Sequence, residues 1–324
     1  MPRLHPQLQD CVFFLFRRNP KTGKIDEGPV GSGFLVSRTP TWEPRLNHLY
    51  AVTNWHVAVR LGASIIRLNG KDGTTRLLEY DPMDWVFNAD DDLAILDVHN
   101  DLRPSDGVFF IKEWDFLAAE KWSTAGLTIG DDCFMIGLFA DHHGSDWNVP
   151  CARFGNIAML SSLHAKVTMA NGSKQPCHLV DTHSRGGFSG SPVFVYRTSG
   201  SDLTKLDERD RFGVPRPTNV LFALLGIHCG QFWEDIEFKK ADATAAEHSG
   251  RPIIEGDKLR VPSSMTMVLP AWRISTLLDS EVFETTRRER EKHWKKDREA
   301  KIPHFEEAEP SLRSSDANPT HRED

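Results

Sequence analysis

The chain has 324 residues, of which 39% are hydrophobic and 26% charged. Its length allows about two domains or one large one, and its 19 Phe and 9 Trp exclude a chain that is disordered throughout. A net charge of −7 and a pI near 6.1 exclude the global positive field of a protein that coats nucleic acid. We therefore expect no nucleic-acid partner.

The N-terminus and the cysteines indicate the compartment. The first apolar run, residues 11–16, stops at Arg17 and Arg18, and it is too short for a signal-peptide core or a membrane span. Five cysteines at irregular spacing, none of them in a C-x-x-C pair, are not typical of a secreted disulfide framework. We therefore expect a cytoplasmic protein without a membrane partner.

Short apolar segments separated by turn residues predict antiparallel strands in a barrel or a sandwich. The first series covers residues 12–16, 33–37, 49–53, 64–68, 75–80 and 93–98. The second covers residues 133–139, 152–160, 177–182, 191–196, 219–227 and 265–270. Two series of this kind predict two similar units, and the helical spacing of apolar residues in 270–278 predicts a closing helix after them.

Three polar segments interrupt or follow this pattern. Residues 197–218 and 233–260 are predicted to be long loops, and loops of such length are more often functional than those of ordinary length. Residues 280–324 hold 12 acidic and 10 basic side chains. Too few apolar residues remain there to form a core, so this segment is predicted to be a charged helix followed by a disordered tail.

The strongest local signal for chemistry is the segment GGFSGSP at 186–192. A serine with glycines at −2 and +1 on a tight turn exposes its hydroxyl and lets backbone N–H groups point at a developing oxyanion. An ordinary Gly/Ser turn is the alternative interpretation. A nucleophilic serine also needs a base and an orienting carboxylate, for which the sequence offers His56 at the end of one predicted strand and Asp90, Asp91 or Asp92 before another.

The order His, Asp, Ser, with each motif next to a strand, resembles that of the chymotrypsin-like serine proteases. The resemblance covers about residues 10–279 and rests on GSGFLVS (31–37), AVTNWHV (51–57), DDLAIL (91–96), GGFSGSPVF (186–194), LLGIH (224–228) and MVLP (267–270). It implies an all-β fold of two antiparallel six-stranded β-barrels, at about 10–120 and 125–279, within one protease unit (1–279).

The resemblance also implies a role for each residue of the site. Ser189 would be the nucleophile, His56 the general base and then acid, and Asp92 the carboxylate that orients the imidazole. Asp92 is selected over its two neighbours because the family's aspartate directly precedes a Leu/Ile-Ala pair. The backbone N–H groups of Gly187 and Ser189 would form the oxyanion hole, and the function implied is that of a serine endopeptidase acting through an acyl-enzyme.

Within this family the motifs SGSPVF and GIH are most similar to those of the bacterial glutamyl endopeptidases. The resemblance implies that His228 lines the primary specificity pocket and that Ser184 helps to bind a substrate carboxylate, which predicts a preference for Glu before the scissile bond. The alternative is that His228 is a core histidine. Phe188 departs from the family, since relatives usually carry Asn or Asp before the nucleophile; the turn is then held by packing.

Partners and cofactors follow from the remaining patterns. We expect a protein or peptide substrate and no cofactor or metal, because neither His142-His143 nor Cys177-His178 has the spacing of a zinc site. The alternative function is a protease-fold binding or sensor module with weak or partner-gated activity. The charged segment 280–324 is the expected contact for a regulatory partner; its basic stretch 287–301 is mixed with acidic residues, so a solvated helix is favoured over a nucleic-acid site.

Overall fold

The computed structural model describes residues 4–118, 127–161, 166–169, 172–182, 187–197, 222–237 and 258–301, with side chains to residue 298. Residues up to Ser280 form one compact unit, and the helix that begins at Glu281 belongs to a second unit. The described part of the first unit is mostly β-structure. It contains two large sheets with separate cores and one small hairpin.

The first sheet has eight strands, because two short strands join the six predicted ones. Its strands are β1 (Val12–Phe16), β2 (Gly31–Arg38), β3 (His48–Thr53), β4 (Ile65–Asn69), β5 (Thr75–Glu79), β6 (Val86–Asn88), β7 (Leu93–Asp97) and β8 (Ile111–Lys112). The pairing order is β5-β4-β1-β2-β3-β7-β6, and β8 pairs with β2 in parallel. Within residues 4–118 no ladder joins β5 to β6, so this sheet is not hydrogen-bonded all the way round.

The second sheet is a closed six-stranded antiparallel barrel. Its strands are β9 (Asp132–Gly137), β10 (Cys151–Met159), β13 (His178–Asp181), β14 (Pro192–Tyr196), β15 (Phe222–Glu237) and β16 (Lys258–Pro270), and a small hairpin of β11 (Val167–Thr168) and β12 (Lys174–Gln175) lies outside it. Each segment of the second predicted series overlaps one barrel strand. Closure removes the free edges that an open sheet would expose.

The prediction of a loop over residues 233–260 is wrong at both ends. β15 continues to Glu237 and β16 begins at Lys258, so the two strands form a long hairpin. Asp235 pairs with Arg260, and Glu237 with Lys258, so opposite charges face each other across the ladder. The residues between the strands, 238–257, and most of the other predicted loop, 198–218, lie outside the described residues.

Two helices follow the barrel. The predicted closing helix is present as α1 (Ala271–Leu278), whose residues Ala271, Ile274 and Leu278 are buried at helical spacing. α2 (Glu281–Lys301) belongs to the second unit. The glutamates in its first turn interact favourably with the positive end of the helix dipole, and Arg288 forms an i,i+4 ion pair with Glu284 at 2.7 Å. The predicted disordered tail, 302–324, lies outside the described residues.

Candidate active site

His56 and Asp92 meet where β3 and β7 lie side by side. His56 begins a short helical turn, His56–Arg60, just after β3, and Asp92 directly precedes β7. The Asp92 carboxylate is bound to His56 twice: Oδ2 lies 2.6 Å from the imidazole Nδ1, and Oδ1 accepts the His56 backbone N–H at 2.9 Å. The Asp92 side chain is only 8% exposed, so solvent competes little for these bonds. They fix both the position and the tautomer of the imidazole, leaving Nε2 as the basic nitrogen.

The backbone of Asp92 is held in an uncommon conformation. Its φ of 55° makes it the one described residue other than glycine in the left-handed region, which aspartate tolerates better than most residues. The Asp92 carbonyl accepts hydrogen bonds from the Trp55 N–H at 3.2 Å and from the Asn54 side-chain amide at 3.0 Å. The residues just before His56 therefore lock the turn that presents the carboxylate.

Ser189 lies on a tight turn that docks on the first sheet through Ser32 of β2. Gly187 and Gly190, on either side of Ser189, have φ of 98° and 86°, which only glycine adopts readily. The Ser32 N–H donates to the Ser189 carbonyl at 2.8 Å, and the Ser32 hydroxyl accepts the Leu138 N–H at 2.8 Å and donates to the Gly187 carbonyl at 3.3 Å. Ser32 is fully buried, so the serine turn, β2 and the end of β9 are joined by a dry hydrogen-bond network.

The Ser189 turn also has two backbone N–H groups that have no acceptor among the described residues. Neither the Gly187 N–H nor the Ser189 N–H donates a hydrogen bond to another described residue. Phe188, between them, is fully buried in the core of the closed barrel, as expected from its departure from the family pattern. A fixed backbone with two available N–H groups is the arrangement that an oxyanion hole requires.

His228 is buried behind the same turn. Its backbone accepts the Gly190 N–H at 3.0 Å and donates to the Ser191 carbonyl at 2.9 Å. Burial, with a smaller effect of nearby His56, lowers the pKa of His228 to about 4; a hydrogen bond with the Phe188 carbonyl opposes this shift. His228 is thus neutral at pH 7 and lies within electrostatic reach of His56. The other proposed specificity residue, Ser184, lies outside the described residues.

Two contacts that support the site could not be predicted from the sequence. One is the hydroxyl bridge of Ser32; the other is an ion pair between Asp91, next to Asp92, and Arg273 of α1. Both involve residues more than 150 positions apart. A polar residue in a strand and an arginine in a helix are common, so only the folded arrangement shows that they contact the site.

Among the described residues, no three His, Cys, Asp or Glu side chains are grouped to hold a metal ion. No helix in the described part of the chain is long and apolar enough to cross a membrane.

Comparison with known proteins defines the class. The family profile of the trypsin-like peptidase domain matches residues 31–199, more than half of the chain. The protein therefore belongs to the trypsin-like peptidase family, and it is a serine peptidase with a mostly β, chymotrypsin-like fold. No curated protein matches it.

Two protease domains of known structure are among the chains similar to this one. The MamO protease domain from Magnetospirillum magneticum is 14% identical, with a TM-score of 0.45 over 86% of this chain and 100% of that one. The active form of the Rv3671c protease from M. tuberculosis is 16% identical, with a TM-score of 0.44 over 84% of this chain and 82% of that one.

Proposed function

We propose that the protein is an endopeptidase that cleaves peptide bonds through an acyl-enzyme on Ser189, with His56 as the base and Asp92 as the orienting carboxylate. The observation that carries the proposal is the pair of hydrogen bonds that His56 donates to the Asp92 carboxylate, one from the imidazole Nδ1 and one from the backbone N–H. A carboxylate bound in this way favours the imidazolium that forms when His56 takes a proton.

The reaction proceeds in two halves. The Ser189 hydroxyl attacks the substrate carbonyl carbon while His56 Nε2 takes the hydroxyl proton, and the carbonyl oxygen becomes an oxyanion facing the N–H groups of Gly187 and Ser189. His56 then gives the proton to the leaving amine, and the C–N bond breaks. His56 then takes a proton from a water molecule that attacks the resulting ester, and it returns the proton to the Ser189 oxygen as the ester C–O bond breaks and the acid is released. Each N–H aimed at the oxyanion contributes about 3–4 kcal/mol to lowering the barrier.

Hydrolysis of an unfolded protein substrate tests this function. We expect Ser189→Ala to lower the rate of casein cleavage by about 10³-fold or more, because the nucleophile is lost. The matched control is Ser191→Ala, two residues along the same turn. Ser191 is fully buried, and its hydroxyl has no hydrogen-bond partner among the described residues, so that variant is expected to keep its activity. Equal activity of the Ser189→Ala and wild-type proteins would overturn the proposal; absence of activity in both would support the binding module instead.

We also propose a preference for Glu before the scissile bond, with His228 as the recognising side chain. Its support is the position of His228 behind the Ser189 turn and its proximity to His56. Because His228 is neutral in the free protein, binding a Glu carboxylate would raise the pKa of this imidazole and take up a proton. The preference for Glu over Ala should therefore be larger at pH 6 than at pH 8.

Profiling of cleavage sites in a peptide library at the two pH values measures this preference. His228→Ala should reduce the Glu-to-Ala ratio by about tenfold or more, the loss expected for one charge-assisted hydrogen bond. The control is His178→Gln, since His178 is also buried, has a pKa lowered to about 3 by burial, and accepts the Ser161 N–H instead. A library profile without enrichment of Glu in the wild-type protein would show the preference to be wrong.

Three broader predictions remain part of this proposal. We propose that the first sheet curls into a second barrel around its own core, which is supported by its buried cluster on β1 to β5 and β7. We propose a cytoplasmic location, which is supported by five free cysteines. We propose that residues 280–324 bind a regulatory partner, for which the support is the charge pattern of the sequence.

A further inference from the structure

The turn that carries Asp92 is held by a residue from the far end of the protease unit. Arg273 of α1 donates to Oδ2 of Asp91 from its Nε at 2.9 Å and from a terminal nitrogen at 2.5 Å. The Asp91 side chain is 4% exposed, and its Oδ1 is buried without a hydrogen-bond partner among the described residues. A carboxylate buried in this way is stabilised by a cationic partner, and Arg273 supplies it.

The turn has further restraints, but none of them fixes the Asp91 side chain. The Asn88 side chain accepts the N–H groups of Asp90 and Asp91, and the Asp92 N–H donates to the Ala89 carbonyl. These bonds close the turn locally. The contact with Arg273 ties the turn to α1. This helix packs on β7, the strand that begins directly after Asp92.

We propose that Arg273 is a positioning residue for catalysis: by anchoring Asp91, it holds the adjacent Asp92 in its left-handed conformation, with the carboxylate aligned on His56. The inference rests on the proposed function of His56, Asp92 and Ser189. It gives α1 a role in a site whose carboxylate, base and nucleophile all lie elsewhere in the chain.

Charge distinguishes this role from a purely structural one. The Asp91–Arg273 pair is neutral as a whole; Arg273→Ala leaves an extra negative charge beside Asp92, and Asp91→Asn leaves an extra positive charge. The extra negative charge in Arg273→Ala favours the imidazolium form of His56, and the extra positive charge in Asp91→Asn disfavours it. Among the described residues, the other charged or titratable groups near His56 include Asp92, His228 of β15 and Arg60 at the end of the same helical turn, and Cys229 of β15 lies near Asp92. Neither variant removes any of them.

The experiment measures the pH dependence of kcat/KM together with kcat and KM. We expect Arg273→Ala to lower kcat by about 10- to 100-fold with KM changed by less than about threefold, because alignment and not substrate contact is lost. The acid limb of the profile should move to higher pH in Arg273→Ala and to lower pH in Asp91→Asn. Arg273→Lys, which keeps the charge, should recover part of kcat and the wild-type acid limb.

A second buried Arg–Asp pair provides the matched control. Arg76 donates to Asp106 through Nε at 3.0 Å, and the Asp106 side chain is 4% exposed, like that of Asp91. Arg76→Ala should lower the melting temperature but leave kcat and the acid limb unchanged. If the wild-type protein is active and Arg273→Ala changes neither kcat nor the acid limb, this proposal alone is overturned. A wild-type protein without serine-dependent activity would instead overturn the proposed function, and this inference with it.

Discussion

Replacing Asp92 with Asn is expected to lower kcat by about 10⁴-fold while leaving the fold intact. The asparagine oxygen can still accept the His56 backbone N–H, as Asp92 Oδ1 does at 2.9 Å. The side-chain amide, however, would then donate to Nδ1, where the carboxylate Oδ2 now accepts at 2.6 Å. The imidazole would adopt the opposite tautomer, with its proton on Nε2, and could not take a proton from Ser189.

The matched control for this variant is Asp90→Asn. It makes the same chemical change two positions away, at an exposed residue of the same turn, and we expect kcat to change by less than about twofold. Steady-state hydrolysis and circular dichroism measure activity and folding for both variants. A folded Asp92→Asn protein with kcat within threefold of the wild type would contradict the proposed role of Asp92.

Replacing Gly190 with Ala is expected to have the largest effect on stability. A Cβ at this position would lie 2.0 Å from the Ser32 carbonyl oxygen and 2.5 Å from Thr53 Oγ1, and the φ of 86° is unfavourable for any side chain. Since the Ser32 oxygen is backbone, the clash can be relieved only by moving the serine turn away from β2. We expect a loss of about 4 kcal/mol or more in the free energy of unfolding, together with loss of activity.

Gly73→Ala separates the clash from the backbone strain. Gly73 has a similar φ of 82° but has no atom within 4 Å of the added Cβ, so only the conformational cost of about 1–2 kcal/mol is expected. Urea unfolding measures both variants. If Gly190→Ala loses no more stability than Gly73→Ala, the docking of the serine turn on Ser32 is not the tight contact described above.

The sequence allowed most strands to be predicted because their apolar segments are short, rich in β-branched and aromatic residues, and bounded by turns. The outer part of the β15–β16 hairpin could not be recognised in this way. Its ladder includes Asp235 opposite Arg260 and Glu237 opposite Lys258, so the segment has the composition of a loop. The short strands β6, β8, β11 and β12 were missed because two or three residues are too few for a pattern.

The candidate site was predictable only in part, for a similar reason. His56, Asp92 and Ser189 stand in short motifs with a fixed order, and the family resemblance selects Asp92 from three neighbouring aspartates, so local sequence is enough to propose them. The supports of the site depend on tertiary contacts: Ser32 bridges Gly187 and Leu138, and Arg273 reaches Asp91 from α1. Ser32 stands in the motif GSGFLVS, but the motif does not show which groups its hydroxyl contacts, and the sequence around Arg273 does not differ from that of an ordinary helix.

Labelling with a fluorophosphonate probe shows whether Ser189 is a nucleophile activated by His56. We expect one adduct on the folded wild-type protein, located at Ser189 by peptide mapping, that is lost in Ser189→Ala and retained in Ser191→Ala. Folded wild-type protein that takes up no probe, or takes it up at another residue, would contradict the claim.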